Sequence, residues 1–99
     1  FMLHHILAKY NDQVTDKAAL LPQITALFEQ LLAMPGIHGV AVRPNVIHRP
    51  NRYDLMIVID MDESALAAYD ASEYHHQWKE TYGPLLAQKA IFDCDGSLT

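Results

Sequence analysis

The sequence holds a single cysteine, Cys94, so no internal disulfide can form; a reducing compartment is the simplest setting for such a chain. Cations are also scarce: seven Lys and Arg stand against twelve Asp and Glu, for a formal net charge of −5. That balance argues against a nucleic-acid partner, because binding phosphates needs a clustered cationic surface. Arg43, Arg49 and Arg52 form the one local cluster; they read as solvated loop residues first and as anion binders second. Long apolar runs are missing too. None approaches the roughly 20 residues that span a bilayer, and the opening stretch is too short and too rich in histidine for the apolar core of a signal peptide. A cytoplasmic setting without membrane contact is therefore expected. Met2 is the expected natural start, with Phe1 outside the fold.

What is present is apolar material sufficient for one core, since 51% of the 99 residues are hydrophobic. Residues 2–10 alternate as a strand does and stop at the turn signal Asn11-Asp12. Thr15 or Asp16 can cap a helix, and Pro22 is best tolerated in a first turn, which predicts a short turn and then a longer helix to about Met34. Ile24, Leu27, Phe28, Leu31 and Leu32 repeat along it at helical spacing. Pro35-Gly36 ends that helix, residues 37–46 read as a strand broken near Pro44, and His48-Arg49-Pro50-Asn51 as a polar loop. Residues 53–61 make the strongest strand. Asp62 and Glu63 open a short helix through Tyr69, Ser72 caps another that Gly83-Pro84 terminates, and residues 88–94 form the last strand. One domain over residues 2–95 is expected, with a C-terminal tail, 96–99, that frays.

The order β-α-β-β-α-β is that of the ferredoxin-like α+β fold, an antiparallel four-stranded sheet with helices on one face. Alternation puts His4, Ile6, Ala8 and Tyr10 on one side of the first strand, and Tyr53, Leu55, Ile57 and Ile59 together on the third. Assigning the more apolar set of each strand to the helix side places Ala90, Phe92 and Cys94 there as well. The other face still carries Leu3, Leu7, Met56, Val58 and Ile91, too much apolar surface to leave wet, so a second copy of the chain is expected to cover it as a homodimer.

Within this frame three polar side chains point inward. His75 shares a helix face with Trp78 and Tyr82, Tyr69 shares a stripe with Leu66, and His4 lies on the helix side of the first strand. With Phe28, Ile57, Trp78 and Phe92 as apolar lining, these residues suggest a pocket for a small hydrophobic ligand. Burial and hydrogen bonding alone account for most inward histidines, so a purely structural role stands beside that reading. The His4-His5 and His75-His76 pairs do not converge on a metal, because neighbours alternate on a strand and sit about 100° apart on a helix. No metal and no cofactor is expected, and Cys94 reads as a small buried hydrophobe.

The opening residues 3–10, Met34-Pro35-Gly36-Ile37, the strand 53–59, Leu66-Ala67-Ala68-Tyr69 with His75 downstream, and Ile91-Phe92-Asp93 occur here in one order and spacing. Together they resemble the stress-responsive dimeric α/β-barrel domain, the Dabb family, over Met2 to about Asp95. The resemblance implies the ferredoxin-like fold and a dimeric barrel. Most of that family has no assigned reaction, and some members look like stress-accumulated assemblies; one, an olivetolic acid cyclase, closes a linear polyketide by aldol condensation. Similarity to that member implies His75 as catalytic base, Tyr69 as its partner, and His4 as the first-strand histidine. The family's His-Pro-x-His pattern reads Ser72-Glu73-Tyr74-His75 here, so only the second histidine is kept. The resemblance thus implies an acid–base enzyme of cyclase or isomerase type, and equally allows a non-enzymatic dimer that binds a small ligand.

Overall fold

A computed structural model describes residues 1–99. The elements run β1 (Met2–Tyr10), α1 (Lys17–Glu29), β2 (Ile37–Pro44), β3 (Leu55–Met61), α2 (Leu66–Asp70), α3 (Glu73–Gln77) and β4 (Leu86–Asp95). They form one four-stranded antiparallel sheet in the order β2-β3-β1-β4. This is the ferredoxin-like α+β arrangement that the order of elements predicts.

Along β1 burial alternates residue by residue, with Met2, His4, Ile6, Ala8 and Tyr10 all turned under the helices. They meet Leu55, Ile57 and Ile59 of β3 and Ile24, Leu27, Phe28 and Leu31 of the first helical segment in one core. Asp16 caps α1 by accepting from the Ala19 N–H, so the helix starts before Pro22 and takes that proline inside it. The ring then removes a single intrahelical bond early in the helix, where α1 tolerates it, instead of marking the first turn. After Glu29 the chain tightens into a 3-10 turn, Gln30–Ala33. At three residues per turn Leu32 rotates out to solvent, leaving the apolar stripe to Leu31. Gly36, at φ +83, makes the turn into β2; a Cβ there would lie 2.9 Å from the Ala65 Cβ, so glycine is required for both reasons.

Two expectations are corrected, the first by register. In the β1–β4 ladder His4 faces Asp93, Ile6 faces Ile91 and His5 faces Phe92. Directly opposed residues share a face, so Lys89, Ile91 and Asp93 lie on the helix side, and Ala90, Phe92 and Cys94 on the helix-free side. Phe92 therefore belongs to the outer face and Ile91 to the inner one, the reverse of the assignment made from apolar content. The cause is that β4 is an edge strand the helices do not reach: Ile91 is 50% and Phe92 63% exposed, so neither face is selected by burial.

The tail is the second correction, because it folds back over the helix-free face. Asp60, buried on that face of β3, accepts from Ser97 Oγ at 3.0 Å and from the Leu98 N–H at 2.9 Å. A side chain at Gly39 would meet Leu98 at 3.4 Å, and the Gly96 N–H donates to the Phe1 carbonyl at 3.0 Å, which ties Phe1 into the fold. The second carboxylate oxygen of Asp60 is buried without a partner. Deleting residues 97–99 removes both donors from a buried carboxylate, and thermal denaturation should report a loss of about 1–3 kcal/mol. A frayed tail would leave the transition unmoved.

Candidate functional site

At the start of β1 the three inward polar residues meet. His4, 6% exposed, sits opposite Asp93, and its Nδ1 lies 2.5 Å from the Asp93 Oδ1. An ionised carboxylate only accepts, so it is the Nδ1–H of His4 that donates this bond. The Tyr69 ring, on α2, packs edge-on to His4 at 5.5 Å between centroids, and the His75 ring, on α3, lies 5.0 Å from Tyr69 on the other side. His4, Tyr69 and His75 thus form a continuous row anchored at one end by Asp93.

The far end is held by the backbone. His75 Nδ1 lies 2.9 Å from the Asp70 carbonyl, which can only accept, so this imidazole keeps its proton on Nδ1 and its lone pair on Nε2. Ser72 sets the approach: its hydroxyl donates to the Tyr69 carbonyl at 2.7 Å and accepts from the His75 N–H at 3.2 Å, capping α3. A serine cap of this kind contributes about 1 kcal/mol. Glu73 takes the first helical position, where proline is tolerated and an acid is favoured by the helix dipole. Ser72-Glu73 therefore builds a capped helix start under His75.

Electrostatics keep both site groups uncharged. Burial lowers the His75 pKa below its ordinary 6.5, an effect that the Asp70 carbonyl and charge oppose and that Lys79 and Lys89 reinforce. Burial, with a contribution from the Asp70 charge, pushes the Tyr69 phenol well above its ordinary value, so it stays a hydrogen-bond donor. Yet the Tyr69 hydroxyl, on a residue 1% exposed, has no hydrogen-bond partner in the protein.

The expected apolar lining divides. Phe28 and Trp78 pack edge-to-face at 5.3 Å and join Ile57 in the closed core, whereas Phe92 lies across the sheet on the other face. Surface recesses lie elsewhere; the one that comes nearest is a shallow hollow between Met2, Glu63 and Asp93. No three His, Cys, Asp or Glu side chains converge to hold a metal ion. Asp93 is the site residue that sequence reasoning missed. The signal was available in principle, since an acid two positions from the end of β4 can oppose a histidine near the start of β1.

A model of the stress responsive A/B barrel domain matches residues 2–95. The chain belongs to this family, Dabb. Among solved structures, a dimeric ferredoxin-like protein of unknown function from Thermobifida fusca aligns at TM-score 0.81 and 24% identity, covering 96% of this chain and 90% of that one. A dimeric protein of unknown function and ferredoxin-like fold from Bacteroides fragilis aligns at TM-score 0.79 and 16% identity, over 96% and 95% of the two chains. A hydroxynitrile lyase from Passiflora edulis aligns at TM-score 0.75 and 12% identity, over 99% and 94%. At these identities the likeness speaks for the Dabb fold alone. No match is found among curated protein sequences.

In an NMR titration the His75 ring should change charge below pH 6.5. Because the unfolded chain then takes up the proton first, the His75 contribution destabilises the fold as pH drops below that value and vanishes above it. A His75 midpoint at or above 6.5 would contradict the burial assigned to this ring.

Proposed function

We propose that this Dabb chain acts as a homodimer joined through the helix-free faces of two sheets, and that His75, Tyr69 and His4 carry acid–base chemistry on a small hydrophobic carbonyl compound of polyketide-like kind. The observation that carries the chemistry is the unpartnered hydroxyl of buried Tyr69. A buried donor left unmatched costs about 1–3 kcal/mol, and a ligand oxygen that gains negative charge is the group that would recover it. His75, neutral near pH 7, offers its Nε2 lone pair to a proton on carbon between two carbonyls. As that proton moves to Nε2, the C–H electron pair passes to a carbonyl oxygen, and the enolate oxygen receives the Tyr69 hydrogen bond. The enolate carbon can then attack a second carbonyl of the same molecule, and the imidazolium returns its proton to the new alkoxide. His4, fixed by Asp93, braces the opposite side of the Tyr69 ring. A hydroxynitrile lyase on the same scaffold supports catalysis as a use of the fold.

Dimerisation is supported by the Thermobifida and Bacteroides relatives, both described as dimeric, and by the apolar residues on the helix-free face, where Met56 is 37% and Phe92 63% exposed. A second reading, a non-enzymatic stress-responsive or ligand-binding dimer, is favoured by one observation: no surface recess opens onto Tyr69 or His75. In that reading the row of rings is structural.

The two readings part on a defined probe. In D2O the protein should speed deuterium exchange at the central carbon of a hydrophobic β-diketone by about 10²–10⁴-fold over buffer. His75→Ala should abolish the gain and Tyr69→Phe should cut it at least tenfold, while Tyr69→Phe leaves stability unchanged or higher because no internal bond is lost. Undiminished exchange in both variants would refute the catalytic reading, and a destabilised Tyr69→Phe would favour the structural one. Separately, light scattering should give twice the 11.2 kDa of one chain, falling to the single mass in Phe92→Glu. That substitution buries nothing in the protomer, so a dimer that survives it would exclude this face.

A further inference from the structure

The chain reverses its own charge at one end of the sheet. Four of the seven Lys and Arg, namely Lys9, Lys17, Arg49 and Arg52, line a recess of about 340 Å³ with His48, against only two carboxylates, Asp12 and Asp54. Asp54 is already engaged, accepting from Lys17 Nζ at 2.8 Å and from the Tyr10 N–H at 2.9 Å. Desolvation works to raise its pKa, but those two donors hold it below the usual carboxylate value. Lys9 Nζ donates to the Pro50 carbonyl at 2.6 Å, which pins the loop between β2 and β3 to the end of β1. Arg49 and Arg52 take part in none of the chain's ion pairs, and Arg52 has only a neutral partner, Asn51 Oδ1, at 2.8 Å. Arg43, in β2, stands opposite Met56 on the helix-free face and does not line this recess.

A second recess, of about 220 Å³, adjoins the first and shares Tyr10, Lys17, His48 and Asp54 with it; Ala18, Leu21 and Leu55 give it an apolar wall. Tyr10 stands where the two meet. Burial first, and the Asp54 charge second, push its phenol up to about 12, which keeps it a donor. A cationic mouth thus opens beside an apolar floor at the end of the sheet, its rim shared with the helix-free face through Lys9 and through Arg52, which also lines a recess with Leu7 and Met56.

We propose that these joined recesses bind a small organic anion, with its carboxylate or phosphate head between Arg49, Arg52 and His48 and its apolar body against Leu21 and Leu55. The site lies six residues along β1 from His4, about 20 Å at the usual rise of a strand, and does not rest on the chemistry proposed at His75. Two arginines with no acidic partner, in a chain of net charge −5, are the groups an anion would meet first.

Calorimetric titration of the dimer with octanoate, octyl phosphate and octanol tests it. Either anion should bind, more weakly as salt rises, while octanol, with the same body and no charge, should not. Arg49→Gln and Arg52→Gln should each weaken binding about tenfold, the worth of one charge-assisted hydrogen bond; Lys79→Gln, the same charge change elsewhere, and Tyr69→Phe should leave it unaltered. The tighter of the two anions names the head group. No heat with either anion, equal binding of octanol, or an equal loss in Lys79→Gln would overturn the proposal, and an unaltered Kd in both arginine variants would do so as well.

Discussion

Antiparallel pairing of β1 with β4 sets His4 opposite Asp93 and His5 opposite Phe92, and the roles of both faces of the sheet follow from that register. A slip of one residue would carry Asp93 to the outer face and leave His4 a buried imidazole with no partner, while Phe92 would move inward. The short His4–Asp93 bond and the apolar outer face are thus two consequences of one alignment. Edge strands exposed on both faces specify register weakly by burial, so the pairing of an acid with a histidine does here what a hydrophobic face does in β3.

That division explains which parts of the molecule were legible in the sequence. β1 alternates cleanly in burial, whereas β3 also buries Val58 and Asp60 on its helix-free side; the helix-side positions of His4, Leu55, Ile57 and Ile59 still follow from period two. The helix stripe of Ile24, Leu27, Phe28 and Leu31 is equally legible, since all four reach the core. Leu32 is misread because the helix gives way to a 3-10 turn that leaves no mark in the apolar pattern. β4 is misread because Lys89-Ala90-Ile91-Phe92-Asp93-Cys94 offers two sets of similar apolarity, and only tertiary pairing chooses between them. The tail is invisible to pattern altogether: Ser97 and Leu98 are ordered by Asp60, a residue far away in sequence whose burial cannot be read locally.

The convergence of Tyr69 and His75 was legible, but its control was not. Periodicity can say that both side chains face inward; it cannot say that the Asp70 carbonyl fixes the tautomer of His75 or that Ser72 bonds to both the Tyr69 carbonyl and the His75 amide. These contacts turn a break between two five-residue helices into a rigid joint. Helices so short have little stability of their own, so the joint and the packing of Trp78 and Tyr82 hold the segment in place. The serine at 72 and the glutamate at 73 give this helix start its cap and its first-turn acid.

β1 also divides the chemistry of the protein by polarity. At its start, beside the His4–Asp93 pair, stand a phenol that keeps its proton and an imidazole whose charge burial disfavours. At its end the groups are charged and wet, with Lys9, Lys17, Arg49 and Arg52 gathered round Asp54. Charges attract across water only within about a Debye length, roughly 8 Å at physiological salt, which is well short of the distance between the two ends. The cations therefore do not set the state of His75, and Tyr69 and His75 do not draw anions away from the loop. A strand that is buried on one side along its whole length can carry two such environments because it is rigid, and because the polarity of each end is decided by what packs over it: two short helices at one end and a cation-rich loop at the other.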